Sequence, residues 1–473
     1  MTESSASSIT AASEAASEDM QADAGNVIVV CAPMKLHIGV FFDGTGNNTA
    51  NANDGKGGGS FANARSNVSL LTQLYKEGEA YDVRSSCGTI ATRYASLYVQ
   101  GIGTNAGWSD WWPTNIVGAA TGMGMTGVES RVLSACLEVG HMITRLSKGV
   151  EPREIVVDVF GFSRGAAAAR YFVNCFRQGF IKYNAYYVVP IKATVPQGRN
   201  LRFRFVGIFD TVAAIGTGGN DDNGSVNVHL STAQADDIYH LTAKHEYRNN
   251  FRLNHNLNGG GSARALLGAH SDVGGGYRDL GDKTRVAKSE THVFFDRPSA
   301  EVAHKKFSAA AATARSAAQS FWVEDGWIRP DEPTGGLINA PSPINTVRIQ
   351  RGFTTYVRYT FTTGAMLDRP WVEVGLSRIP LKIMYKRAVA AGVPFLAFPT
   401  GAQYTIPSRL KTLAGALCEG GAMPSTANQR EILRNYGHVS ANLSSVGMGP
   451  QLGTGKQRMW GRTIYWNKVG EAK

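Results

Sequence analysis

The chain has 473 residues, of which 43% are hydrophobic and 18% charged, a composition typical of a globular protein with a sizeable core. Its formal net charge of +11 would attract polyanions, but no dense block of lysine and arginine or basic helix marks a nucleic-acid site, so we expect no nucleic-acid partner. The five cysteines are widely spaced and form no CxxC motif, which indicates reduced thiols, as in a protein folded in a cytoplasm.

The N-terminal stretch is rich in serine, alanine and glutamate, and we expect residues 1–25 to form a disordered tail. It lacks a basic stretch followed by an apolar run, so the sequence predicts no secretory signal peptide. The next segment, NVIVVCAPMKLHIGVFF, is interrupted by Pro33 and Lys35 and is too short to span a bilayer. A protein of this kind would need another route to act outside its cell.

Between residues 26 and 290, apolar runs of strand length alternate with helical patterns. This alternation predicts an α/β fold, built on a mainly parallel sheet with helices on both faces. Helices are predicted over residues 127–147 and in GAAAARYFVNCF, and a long loop is predicted in DGTGNNTANANDGKGGGS. Strands are predicted in KLHIGVFF, RYASLYVQGIGT, EIVVDVFGF, LRFRFVGIFD and RALLGAH.

From about residue 290 the pattern changes. We expect a mostly helical accessory region over residues 291–440, which is a candidate for membrane binding. SAAAATARSAAQSFW and residues 380–391 have helical patterns, whereas RGFTTYVRYTFTT is typical of an extended hairpin. Residues 441–473 are predicted to form a C-terminal segment, whose stretch GRTIYWN returns to the core.

One junction in the predicted core carries a chemical signature. In VFGFSRGAAAAR, Ser163 lies between an apolar strand and an alanine-rich helix and matches the pattern G-x-S-x-G. Where a strand turns sharply into a helix, this pattern exposes a strained serine that can act as a nucleophile, and its glycines avoid collisions with both elements. The alternative is a serine that only caps the helix. The strand before Ser163 and the helix after it favour the nucleophile.

A serine nucleophile requires a base and an acid, and in enzymes with this turn the acid follows the serine along the chain and the histidine follows the acid. Asp210 ends LRFRFVGIFD and is the preferred acid, although it could instead cap the next turn. His270 ends RALLGAH and is the preferred base, with His255 as second choice. Four further aspartates compete with Asp210 but follow no comparably clear strand: Asp221, Asp222, Asp236 and Asp237.

Acyl transfer also requires an oxyanion hole made of two backbone N–H groups. Arg164 is expected to supply one, and Gly44 or Thr45 in FFDGTGNN the other, unless FFDGTGNN is a plain glycine turn. The stretch QLGTGKQ lacks the first glycine and the hydroxyl of a P-loop, which excludes a P-loop NTPase. This chemistry needs no metal ion or cofactor, although Asp43 and Asp272 are conceivable cation ligands.

Four motifs now stand together: FFDGTGNN, GFSRGAAAAR, GIFDTV and GAHSDVGGGY. As a set they resemble a family of bacterial α/β-hydrolases that includes the first family of phospholipase effectors of the type VI secretion system. The resemblance covers roughly residues 36–280, and the order of Ser163, Asp210 and His270 is similar to that family's triad. It implies an α/β-hydrolase-like fold and a serine phospholipase of the A1 or A2 type, which hydrolyses acyl esters of membrane glycerophospholipids.

The resemblance also implies how such a protein is used. It implies an antibacterial toxin that is injected into a neighbouring cell and acts on the membrane or in the periplasm of that cell. The carrier would be a secretion spike protein of the VgrG type or an adaptor, and a cognate immunity protein would protect the producing cell. The predicted lack of a signal peptide agrees with this contact-dependent delivery.

Access to a bilayer is expected to involve residues 105–128, a stretch rich in tryptophan and glycine. Trp108, Trp111 and Trp112 lie close together, and because tryptophan favours the headgroup boundary they predict a membrane-docking element or a lid. The alternative is that these rings pack in the core. Two other functions stay open at this point: a soluble carboxylesterase of the same fold without a membrane role, and a non-catalytic binding module.

Overall fold

In the computed structural model of the chain, the described residues are 34–54, 63–84, 88–106, 127–183, 187–191, 201–215, 223–278, 281–286, 290–296, 300–332, 335–339, 345–363, 365–443, 448–450 and 461–467. The strands are β1 (Lys35–Phe42), β2 (Gly78–Arg84), β3 (Gly88–Val99), β4 (Glu154–Phe162), β5 (Phe180–Tyr183), β6 (Tyr187–Pro190), β7 (Leu201–Phe209), β8 (Asp237–Ala243), β9 (Leu253–His255), β10 (Ser262–Leu266), β11 (Asp282–Arg285), β12 (Glu290–Asp296), β13 (Gly336–Asn339), β14 (Asn345–Arg351), β15 (Thr354–Thr363), β16 (Ala365–Arg369) and β17 (Ile464–Trp466). The helices are α1 (Thr49–Asp54), α2 (Asn67–Thr72), α3 (Val128–Ser147), α4 (Arg164–Gln178), α5 (His270–Gly274), α6 (Ala300–Glu324), α7 (Arg378–Ala390), α8 (Lys411–Cys418) and α9 (Thr426–Tyr436).

Within these ranges, seven strands form one sheet in the order β10-β8-β7-β4-β1-β3-β2. Each neighbouring pair is parallel except β2 and β3, which are antiparallel at the edge. The parallel strands all end at the same edge of the sheet, which is where ligands bind in folds of this kind. The ends of β4, β7 and β10 therefore define the place to look for a functional site.

Two apolar clusters cover the two faces of this sheet, because successive side chains of a strand point to opposite faces. On one face, Ile38 of β1 lies in a cluster with Val132 of α3 and Phe172 of α4. On the other face, Phe41 of β1 stacks on Phe160 of β4 with ring centroids 5.0 Å apart. This burial on both faces explains why β1 and β4 are almost continuously apolar in sequence.

The second face is completed by a helix from far along the chain. Ile379, Leu381 and Met384 of α7 are buried in the same cluster as Phe41 and Phe160. Helix α7 lies within the predicted accessory region, yet its apolar side packs on the central sheet. The rest of that region contains the helices α6, α8 and α9 and most of two small antiparallel sheets, β11-β16-β13 and β12-β15-β14. Strand β11 joins the first of these sheets from before residue 291.

The fold class predicted from the sequence is confirmed as an α/β-hydrolase-like architecture, and the strands predicted around Ser163 and Asp210 are present as β4 and β7. The predicted long loop after β1 contains a short helix, α1, because Asn48 Oδ1 accepts a hydrogen bond from the Ala50 N–H. The predicted strand RALLGAH ends at Leu266, so His270 begins helix α5 instead of ending a strand. None of the described helices is both long enough and apolar enough to cross a bilayer.

Candidate active site

Ser163 occupies the sharp turn between β4 and α4. Its backbone has φ 59° and ψ −128°, a conformation that residues with a side chain rarely adopt. The neighbouring glycines are required by close packing: a Cβ on Gly165 would lie 2.3 Å from the Asp43 carbonyl oxygen, and one on Gly161 would lie 2.6 Å from the Ala166 Cα. The strained turn predicted from G-x-S-x-G is therefore present in the backbone.

The helix-cap alternative for Ser163 is not supported by this geometry. A capping serine has extended backbone angles and accepts a hydrogen bond from an N–H in the first turn of the helix. Ser163 has a positive φ, and its side chain makes no capping hydrogen bond to α4. By contrast, Ser66 caps α2 with φ −72° and ψ 164°, and its Oγ accepts from the Ser69 N–H. The side chain of Ser163 is thus not used to begin its helix.

Asp210 and His270 meet at the same edge of the sheet. Asp210 follows β7 and is fully buried, and His270 opens α5 after β10. The His270 Nδ1 and Asp210 Oδ2 atoms lie 2.5 Å apart, which is a short, charge-assisted hydrogen bond. The Ala243 N–H donates to the other carboxylate oxygen of Asp210 at 2.8 Å. Asp210 and His270, the two residues that chain order favours as acid and base, are therefore in direct contact.

The surroundings of this pair shift the pKa values of both groups downward. Burial would raise the pKa of Asp210, but the guanidinium of Arg462 and the hydrogen bond from His270 outweigh it, so the carboxyl is ionised. Burial lowers the pKa of His270 below its usual value of 6.5, an effect that Asp210 only partly reverses. At neutral pH the imidazole of His270 is neutral, with Nδ1 donating to Asp210 and Nε2 left as an acceptor.

Ser163 and His270 line one cavity of about 590 Å³. Part of its lining is apolar: Phe162, Val212, Ala214, Phe251 and Met448. The other part is polar: Asn47, Asn63, Arg248 and Asn250. A cavity of this size and mixed character suits a ligand with an apolar chain and a polar group.

The three predicted oxyanion-hole residues differ in whether they line this cavity and in the contacts of their donor groups. Thr45 and Arg164 both line the cavity, and the Thr45 hydroxyl is buried with no hydrogen-bond partner among the described residues. The N–H of Gly44 donates to Asp43 Oδ1 at 2.7 Å. Because that hydrogen bond already uses the N–H of Gly44, the geometry favours Thr45 over Gly44 as the donor from this loop.

Several residues around the histidine were not found from the sequence. Phe162 and Phe251 flank the His270 ring, with centroids 4.6 and 5.0 Å away. Glu246 is fully buried, accepts from the His270 N–H at 3.2 Å, and also accepts from Nε and Nη2 of Arg248. These residues hold His270 through its backbone N–H and through two ring contacts. No local sequence pattern distinguishes them, because each acts through a contact made only in the folded chain.

The competing candidates lie elsewhere or have other partners. His255 on β9 does not line the cavity; its ring packs on that of Trp466, with centroids 5.0 Å apart. Asp236 and Asp237 form ion pairs with Arg202 and Arg387, respectively. The other predicted residues, which are Asp221, Asp222, Trp108, Trp111 and Trp112, lie outside the described residues.

The two conceivable cation ligands are also engaged. Asp43 accepts from the Tyr98 hydroxyl at 2.6 Å, besides the Gly44 N–H. Asp272 accepts from the Ala269 N–H at 2.9 Å and from His438 Nδ1 at 2.8 Å. Across the part of the chain that the structure describes, no group of three histidine, cysteine or acidic residues has an arrangement suited to a metal ion.

Part of the chain around this site is similar to a known protein family. Residues 184–294 match the model of the catalytic domain of Tle1-like phospholipase effectors of the type VI secretion system. This range of the chain is therefore similar to the Tle1-like catalytic domain. The resemblance predicted from the four motifs is confirmed, and the matched range contains Asp210 and His270. Ser163 precedes it, in the βα turn that the fold places beside them.

Two solved structures are similar to this chain, and the first of them supports its fold. One is the Tle1 effector bound to the VgrG spike of the type VI secretion system, with 24% sequence identity and a TM-score of 0.64. The match covers 92% of this chain and 94% of that chain. A second is an uncharacterized protein from Pseudomonas aeruginosa, with 18% identity, a TM-score of 0.40, and coverage of 85% of this chain and 53% of that one. No curated protein matches the chain.

Proposed function

We propose that this Tle1-like chain is a serine phospholipase of the A1 or A2 type, with Ser163 as nucleophile, His270 as base and Asp210 as orienting acid. One observation carries the proposal. A strained serine with no capping role lines the same cavity as a histidine whose Nδ1 is held by a buried carboxylate. That combination suits acyl transfer, and the Tle1-like domain makes a phospholipid ester the favoured substrate.

The reaction would proceed in two steps. His270 Nε2 accepts the proton of the Ser163 hydroxyl while Oγ attacks the carbonyl carbon of an acyl ester. The protonated histidine then gives that proton to the departing lysophospholipid oxygen, which leaves an acyl-serine. Water then attacks the acyl-serine while His270 takes its proton. His270 returns that proton to Ser163 Oγ as the bond between Oγ and the acyl carbon breaks, which releases the fatty acid and restores Ser163. Asp210 stays ionised throughout and stabilises the imidazolium that forms in each step.

The developing oxyanion would be held by the N–H of Arg164 and by Thr45. Arg164 is the first residue of α4, where the helix dipole favours negative charge. Thr45 offers its N–H and, in addition, a buried hydroxyl that has no hydrogen-bond partner among the described residues. The second feature supports Thr45 as a donor that becomes satisfied only when substrate is present.

Use of this activity as an antibacterial toxin is part of the proposal. The similar Tle1 effector is bound to a VgrG spike, and we infer a spike protein of that type, or an adaptor, as the carrier for this chain. A cognate immunity protein would protect the producing cell. The target would be the membrane or the periplasm of a neighbouring cell, and Trp108, Trp111 and Trp112 would dock the enzyme on the bilayer.

A soluble carboxylesterase with the same triad is the second candidate. The mixed apolar and polar lining of the cavity would also accept a small ester, so the two candidates differ in the substrate rather than in the chemistry. A non-catalytic binding module is less well supported, because such a module would have no use for a strained serine beside a paired histidine. Activity on phospholipid vesicles relative to a short-chain ester separates the first two candidates.

Covalent trapping tests the proposed nucleophile directly. A fluorophosphonate reagent should label the wild-type chain once, at Ser163, and peptide mass spectrometry would locate the adduct. Labelling should be absent in Ser163→Ala and slowed by orders of magnitude in His270→Ala, since the neutral hydroxyl reacts poorly without its base. Labelling of Ser163→Ala at the wild-type rate would contradict the proposal.

A further inference from the structure

The C-terminal segment brings an arginine onto the carboxylate of the proposed triad. Arg462 donates from Nη1 to Asp210 Oδ1 at 2.7 Å and from Nη2 to Asp210 Oδ2 at 2.9 Å. The pairing is bidentate, which is the arrangement that a planar guanidinium makes best with a carboxylate. The side chain of Arg462 is only 8% exposed, so solvent screens this contact little.

These contacts fix the rotation of the carboxylate. Oδ2 of Asp210 accepts from His270 Nδ1 and Arg462 Nη2, while Oδ1 accepts from the Ala243 N–H and Arg462 Nη1. With two donors on each oxygen, a turn of the carboxylate would break several hydrogen bonds at once. Oδ2 is therefore held toward His270, and Arg462 supplies two of the four donors that hold it.

Arg462 also makes hydrogen bonds to backbone carbonyls close to His270. Its Nε donates to the carbonyl of Phe251 at 2.8 Å, and Nη1 also contacts the carbonyl of Ala243 at 3.1 Å. The Phe251 ring meets the His270 ring edge-on at 5.0 Å. The guanidinium of Arg462 thus contacts Asp210, the end of β8 at Ala243, and Phe251, whose ring packs on His270.

The segment that carries Arg462 is anchored independently of Asp210. Strand β17 pairs in parallel with β9, and the Leu253 N–H donates to the Thr463 carbonyl at 3.0 Å. The Arg252 side chain donates to the Tyr465 hydroxyl at 2.6 Å. Because other contacts attach the segment, the bidentate contact to Asp210 is not needed merely to hold the C-terminal segment in place.

We propose that Arg462 is a positioning residue of the triad, which fixes the Asp210 carboxylate toward His270 and offsets part of its negative charge. The inference rests on the proposed function. Among the described residues, Arg462 is the cation in direct contact with that carboxylate. With this positive charge present, His270 stays neutral, and so remains a competent base, to lower pH than it would beside an unpaired buried aspartate.

Other charged and titratable groups face this pair and must be kept unchanged. Glu246 and Arg248 lie beside His270 and are paired with each other. His240 and His255 interact electrostatically with Asp210, and both have pKa values lowered chiefly by burial. They are present in every variant considered below, so their contribution to a pH profile is common to all.

The test is the pH dependence of kcat/KM for 4-nitrophenyl butyrate, measured on the full chain with Arg462→Met, Arg462→Lys and Arg252→Gln. In Arg462→Met, kcat should fall by about 100-fold because the acid is misaligned. Its acid limb should also move to higher pH, because removing a cation raises the proton affinity of the His270–Asp210 pair. Arg462→Lys should keep the wild-type acid limb, since the positive charge remains. Its turnover should fall, because an ammonium group cannot make the bidentate contact with the Asp210 carboxylate.

Arg252→Gln is the matched control, since it removes an arginine that anchors the same segment without touching Asp210. Arg252→Gln should keep both the turnover and the acid limb of the wild-type chain. An acid limb that does not move in Arg462→Met would overturn the proposal, whatever happens to the rate. If Arg462→Met does not fold, wild-type turnover in Arg462→Lys would overturn it instead. Failure of the proposed function is distinct: wild-type and Ser163→Ala chains would then hydrolyse the ester equally.

Discussion

The Ser163 N–H donates a hydrogen bond to the carbonyl of Phe209 at 3.1 Å. Phe209 is the last residue of β7, directly before Asp210, so this backbone contact fixes the proposed nucleophile relative to the proposed acid. The Ser163 carbonyl in turn accepts from the Val212 N–H at 3.4 Å. The two loops are held by main-chain atoms, and replacing a triad side chain should therefore remove activity without moving the backbone.

The pH dependence of kcat/KM should show an acid limb that lies below pH 6.5. Burial lowers the pKa of His270, and a base works only while it is neutral, so activity is retained until the pH falls through that lowered value. Above the limb the rate should be flat through neutral pH, because Asp210 is ionised over the whole range. An acid limb above pH 6.5, measured with a short-chain ester, would contradict the assignment of His270 as the base.

Replacing Thr45 with valine should lower kcat by about 100-fold with little change in KM, since a donor to the oxyanion acts mainly in the transition state. Valine keeps the shape of the side chain and removes the hydroxyl, whose oxygen is buried without a partner among the described residues. Thr45→Ser is the control and should retain most of the rate. Equal rates in wild type and Thr45→Val would show that the hydroxyl is not used.

Gly165→Ala should destabilise the fold by about 3 kcal/mol and reduce the yield of folded protein. The added Cβ would lie 2.3 and 2.4 Å from the carbonyl oxygens of Asp43 and Phe42, and backbone atoms cannot move aside cheaply. Gly415→Ala is the control: Gly415 is exposed within α8, nothing lies near its added Cβ, and alanine favours a helix. Urea unfolding of the three chains measures both effects, and equal midpoints would contradict the expected crowding.

Replacing Trp111 and Trp112 together with alanine should weaken binding to phospholipid vesicles but spare hydrolysis of a short-chain ester. The expectation follows from the preference of tryptophan for the headgroup boundary and from the sequence WSDWWPT. Vesicle co-sedimentation and ester hydrolysis are measured on the same preparation. Equal loss in both assays would indicate that these rings support the fold instead of docking the enzyme.

The central elements of the site were predictable from the sequence because their signals are local. A strand that ends in Phe162, a strained G-x-S-x-G turn and a helix rich in alanine follow one another within a few residues. Asp210 follows the apolar strand β7 in the same way, whereas His270 opens helix α5 a few residues after the short strand β10. Parallel strands then bring the three side chains to one edge of the sheet without further information from the sequence.

The contacts that refine the site were not predictable, because they join distant parts of the chain. Arg462 lies 252 residues after Asp210, in a segment whose sequence gives no sign of a role in the triad. The N–H of Gly44 is used by the neighbouring Asp43 side chain, which depends on loop geometry. Helix α7 packs on the central sheet although 168 residues separate Arg378 from Asp210, as 378 − 210 gives. Strand β8 was not predicted because polar residues, among them the buried His240, interrupt its apolar residues.

The most direct test of the account is fatty-acid release from phospholipid vesicles by the wild-type chain and by Ser163→Ala. Ser408→Ala, which changes an exposed serine far along the chain from Ser163, controls for the preparation. The account predicts release by the wild-type chain and the control, and a loss of several orders of magnitude in Ser163→Ala. Equal release by all three chains would contradict the claim that Ser163 is the nucleophile of a phospholipase.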